Sequence, residues 1–114
     1  MEELDEGEIE ARSWLMRADG KQHSLSESSE MMIADDDLLR VVDELYSAGA
    51  TRVTVLRVEI DDDWEDASRL RITLPDDPEA RSRVLTIHSR MLREYETCWD
   101  PEEDHGQPSI MFGW

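Results

Sequence analysis

A chain of 114 residues, 39% apolar and 36% charged, has room for one domain with a compact core beneath a densely ionised surface. Its formal net charge of −17 repels nucleic acid and anionic membrane, so the expected partner is a protein with a basic surface. No apolar run approaches bilayer length, the first residues are acidic where a secretory signal is basic, and the lone Cys98 allows no internal disulfide; a cytoplasmic location is expected.

Residues 1–10 read as an acidic arm ahead of a single domain over 11–114. Residues 11–17, with Trp14, Leu15 and Met16, read as a first strand. The turn at Ala18-Asp19-Gly20-Lys21 would allow it to pair with His23 to Ser26, ahead of a serine-rich loop. Asp35, Asp36 and Asp37 then precede Leu38, Val41, Val42 and Leu45, the spacing of one apolar stripe on a helix. Asp suits a helix N-terminus, and Gly49 suits its end.

Arg52 to Ile60 is rich in β-branched residues and reads as a strand, with Leu56, Val58 and Ile60 on one face and Val53 and Val55 on the other. The acidic run Asp61 to Asp66 reads as a hairpin loop, and Arg69 to Leu74 as the returning strand, its Leu70, Ile72 and Leu74 buried. Asp77-Pro78-Glu79 opens a second helix that runs to about Tyr95, with Val84, Leu85, His88, Met91, Leu92 and Tyr95 along its apolar face. A loop through Asp100-Pro101 and His105-Gly106 leads to a last strand over Pro108 to Trp114, where Ile110, Phe112 and Trp114 alternate with smaller neighbours. The order strand, helix, strand, strand, helix, strand predicts an α+β domain of ferredoxin-like arrangement, a four-stranded antiparallel sheet with both helices on one face.

Three constellations carry possible chemistry. Asp61, Asp62, Asp63, Glu65 and Asp66 crowd carboxylates around Trp64, as a hard cation requires, yet the run lacks the glycine and the later glutamate of a calcium loop. A solvated loop that discourages edge association is the simpler reading. Cys98 and His105 are zinc-ligand types, but one of each without a close pair is an incomplete site, and no cofactor is expected. His88 with Tyr95 and Cys98 would supply a base and a thiol for a small enzyme, against a structural histidine on a helix face. On the hairpin, Arg57, Arg69 and Arg71 beside Val53 and Val55 resemble an interface core with a polar rim; RNA binding there would need stacking aromatics that these strands lack.

Trp64 and Trp99 lie in acidic loops and are the expected surface anchors. The reading that follows is a non-enzymatic protein-interaction module of the inhibitor or immunity kind, taking a basic partner or a second copy of itself. Its rival is a metal-binding or thiol-dependent enzyme using Cys98, His105 and His88.

Overall fold

The computed structural model of the protein describes residues 9–16, 22–26, 32–56, 58–60, 64–97 and 99–113. Its order is β1 (Ile9–Glu10), α1 (Ala11–Leu15), β2 (Gln22–Ser26), β3 (Met32–Ala34), α2 (Asp35–Ala48), β4 (Arg52–Leu56), β5 (Glu59–Ile60), β6 (Trp64–Ala67), β7 (Arg69–Thr73), α3 (Pro78–Glu94) and β8 (Ser109–Gly113). One four-stranded antiparallel sheet runs β1-β4-β7-β8, and a second, β3-β2-β6-β5, contains a parallel pair between β2 and β6. One apolar cluster, with residues from both sheets and all three helices, fills the space between them. No described helix is long and apolar enough to cross a membrane.

The α+β class holds, but the strand order is not that of a ferredoxin-like sheet. A split βαβ unit inserts a strand between two parallel ones. Here β1 and β4 are direct antiparallel neighbours, and β8 lies at the edge opposite β1. The segment at residues 11–17 is also not a strand: Ala11–Leu15 form a single helical turn and a half. Glu10 caps it, its carboxylate accepting the backbone N–H groups of Arg12 (2.9 Å) and Ser13 (2.8 Å). Ala11 and Trp14, three apart, are its buried face. Ile9 and Glu10, the end of the expected arm, pair with Val55 and Thr54.

The long helices follow from their sequences. In α2, Leu38, Val41, Val42 and Leu45 are buried. The helix closes on Gly49 at φ 123°, whose N–H reaches Tyr46 O while Ala50 N–H reaches Leu45 O, the paired bonds of a Schellman motif. In α3, the Asp77 side chain accepts Ala80 N–H at 2.9 Å and Pro78 fills the first turn. The same paired bonds end α3, from Glu96 N–H to Arg93 O and from Thr97 N–H to Leu92 O, with Glu96 at φ 53° in the glycine place.

The expected strand over Arg52 to Ile60 divides into β4 of one sheet and β5 of the other, and its faces are reversed. Val53 pairs with Ile72 and Val55 with Leu70, and all four are fully buried, whereas Leu56 and Val58 are half-buried. Register with the cleanly alternating β7 fixes which side of β4 faces the helices. The segment expected to pair with the first strand is β2, but its neighbours are β3 and β6, and β6 comes from the acidic stretch expected as a loop.

Candidate interaction surface

Of the acidic run, Asp61, Asp62 and Asp63 lie outside the described residues, and so do Arg57 and Cys98. Trp64, Glu65 and Asp66 do not form a loop. They are strand residues, and strand alternation sends them to opposite faces. Glu65 turns inward: it is 2% exposed and accepts the indole N–H of Trp14 at 3.0 Å, with His23, its register partner on β2, edge-on to the same indole at 4.8 Å. A carboxylate facing the core cannot join Asp66 around a surface cation. On the outer face, Trp64 is 39% exposed; its indole N–H donates to Ser24 Oγ (2.8 Å), whose hydroxyl donates to Asp66 Oδ1 (2.7 Å). That chain fixes the ring over a buried serine, with Asp66 and its register partner Glu59 alongside.

Arg69 and Arg71 lie half-buried with Arg52 on the opposite face of the first sheet from Val53 and Val55, which face the core, so the valines are not the centre of an arginine rim. Trp99 is no projecting anchor either. It packs half-buried against the outside of the core, with the Arg69 guanidinium 5.2 Å from its ring centroid.

His105 is exposed in a loop ordered by its neighbours: Arg81 Nη2 binds Asp104 Oδ1 at 2.7 Å, Gly106 N–H reaches the same oxygen at 3.1 Å, and Gln107 spans Glu103 to His105. The Arg81 bonds hold the Asp104 carboxyl below its usual range. No group of three or more metal-ligating side chains occurs among the described residues. His88 is 1% exposed, and its Nε2–H donates to Met111 O at 2.7 Å. Leu74 N–H bonds Pro108 O, which puts the backbone groups of Met111 on the side of β8 away from β7. The imidazole thus occupies a backbone acceptor on the outer edge of β8. Burial lowers its pKa and leaves no route for substrate to the ring.

A feature with little trace in the sequence lies between α2 and α3: a groove of about 320 Å³ lined by Asp37, Arg40, Val41 and Glu44 from one helix and Arg90, Glu94 and Tyr95 from the other. Helical spacing gathers each set on one stripe, and the charged pairs three and four apart were its only local signal. Arg90 binds Glu44 as a fork, Nη1 to Oε2 at 2.6 Å and Nη2 to Oε1, and lowers that carboxyl's pKa. Arg40 pairs with Asp37. Glu94 lies 3.8 Å from Arg90 Nε, beyond hydrogen-bond reach, and makes no hydrogen bond among the described residues. The Tyr95 pKa is raised by burial first and then by Glu94 and Asp37, whose charges outrank the opposing Arg40 and Arg90. Comparison with protein families, curated proteins and solved structures finds no match to this chain, so its functional reading rests on its own residues.

Proposed function

We propose that this chain is a non-enzymatic interaction module that binds a basic partner protein through its acidic surface. The supporting observation is how the charges are paired. Arg12 is paired with Asp43, Arg40 with Asp37, Arg81 with Asp104 and Arg90 with Glu44, while Arg69 lies over Trp99. Asp36, Glu59, Glu79, Glu96, Glu102 and Glu103 remain exposed, with no ion-pair partner among the described residues, and only Arg83 and Arg93 are exposed arginines in the same condition there. The negative field is therefore directed outward, where it speeds encounter with a basic surface over distances of about a Debye length, roughly 10 Å at 0.1 M salt. Trp64, held in place by Ser24 and already partly dehydrated, adds an aromatic contact of low ordering cost.

The test is capture on the immobilised protein at low salt, release by a salt gradient, and rapid-mixing kinetics with the released protein. A basic protein that binds with defined stoichiometry and associates more slowly as salt rises is the expected result. An association rate indifferent to salt would remove the basis of the reading. Trp64→Ala should mainly quicken dissociation.

A further inference from the structure

We infer that the groove between α2 and α3 receives an arginine side chain of the basic partner, stacked on Tyr95 beside Glu94; this deepens the reading above and rests on it. The volume decides the size of the guest. About 320 Å³ is at the small end of ligand-sized clefts, enough for one long side chain but not for a length of chain. The lining decides the sign. Three carboxylates face two guanidinium groups; Arg90 is occupied by its two bonds to Glu44 and Arg40 by Asp37, which leaves Glu94 as the carboxylate in surplus. Glu94 is left with unfilled acceptor positions, and its side chain is 57% exposed, that of Asp37 55%.

The shape decides between the two cationic side chains. Val41, 6% exposed, gives the groove an apolar floor that suits a methylene stem. Tyr95 sits at the end of α3 with its ring braced edge-on by Phe112, 6.1 Å between centroids, so its position is fixed before a guest arrives. A planar guanidinium stacks on such a ring and forks toward flanking carboxylates, whereas an ammonium is a compact, strongly hydrated charge that does neither as well. The greater weight of Glu94 and Asp37 over Arg40 and Arg90 at the Tyr95 hydroxyl agrees with a cation as the guest.

The probe is a hexa-arginine peptide titrated into the full-length, isotope-labelled chain at low salt, read by backbone amide shifts. The inference expects shifts centred on Asp37 to Glu44 and on Arg90 to Tyr95, with weaker binding by hexa-lysine. Glu94→Gln should weaken the apparent Kd about two- to five-fold, the scale of one solvent-exposed ion pair. Glu79→Gln makes the same charge change about 22 Å away along α3 and should leave the groove shifts and Kd nearly unchanged. Both changes are at exposed positions, so folding is retained, and Tyr95→Leu tests the stacking separately. Shifts confined to other surfaces, or equal weakening by Glu94→Gln and Glu79→Gln, would overturn the groove while leaving the acidic module standing. No binding of hexa-arginine at low salt would overturn both.

Discussion

Replacing His88 with Gln should flatten the acid side of the stability curve. The imidazole is 1% exposed, donates from Nε2 to Met111 O at 2.7 Å, and lies edge-on to Phe112. Its Nδ1 is buried and has no hydrogen-bond partner among the described residues, so a second proton would find no acceptor there. Burial therefore holds the folded pKa below the usual value near 6.5; Met111 O, and Glu102 from the preceding loop, oppose that shift and are outweighed. Over the interval between the folded and unfolded values, the unfolded chain binds a proton that the native state does not. Stability is then fully present above about pH 6.5 and is lost as pH falls, with a slope of at most about 1.4 kcal/mol per pH unit for one group. Glu10, Glu44 and Asp104, whose pKa values are also lowered, lose their contributions below about pH 4.5, in a separate window. Glutamine can still donate to Met111 O but does not titrate, so the variant should lose about 1–2 kcal/mol near pH 8 through poorer filling of the ring's space. Urea unfolding followed by circular dichroism at pH 8, 6.5 and 5 measures both effects. If the variant loses as much stability as the parent between pH 6.5 and 5, the buried imidazole is not the source of the slope.

The two helix ends predict opposite outcomes. Gly49→Ala puts a Cβ 2.7 Å from Ala80 Cβ at φ 123° and should cost about 2 kcal/mol or more in thermal unfolding. Glu96→Gly relieves a side chain held at φ 53° and should gain about 0.5–1 kcal/mol in the same assay; a loss would mean that the glutamate side chain contributes more than its backbone costs. Trp14→Phe removes the buried indole donor to Glu65 Oε1 and part of the ring volume and should cost about 2–4 kcal/mol, whereas Glu65→Gln, which keeps an acceptor oxygen for the indole, should cost clearly less. Equal losses from those two changes would mean that packing, and not the hydrogen bond, places Glu65 inside.

What was legible in the chain is what long periodicity writes. The 14 residues of α2 and the 17 of α3 carry several turns of apolar stripe and strong end signals, and β7 and β8 alternate cleanly. The five residues of α1 are too few to show a period, and its cap is a glutamate, outside the usual capping set of Ser, Thr, Asp and Asn. In β6, a charged inward residue hides the alternation, because Glu65 is buried against an indole 51 positions earlier in the chain. Sheet order was illegible for a related reason. Element order alone fits both β1 beside β4 and β1 separated from it, and the choice depends on long-range packing. The groove joins residues of α2 and α3 whose key ion pair spans 46 positions; sequence displays each charged stripe but not which stripes meet.

The same charge pairing predicts opposite responses of fold and binding to salt. The Arg12–Asp43, Arg90–Glu44 and Arg81–Asp104 pairs each tie two different parts of the fold together, yet they are largely surface pairs that contribute little to stability. Against them stands the self-repulsion of a chain with net charge −17, which favours expansion. Moderate sodium chloride screens both, and the repulsion, summed over many unpaired carboxylates, is the stronger of the two. The urea midpoint of the free protein should therefore rise between low salt and about 0.3 M, where the Debye length falls to roughly 6 Å. Association with a basic partner should slow over the same range, because that attraction is the one the screening removes. A midpoint that falls with salt would mean that the arginine pairs outweigh the surplus acid, and that the carboxylates are engaged in the fold itself and not turned toward a partner.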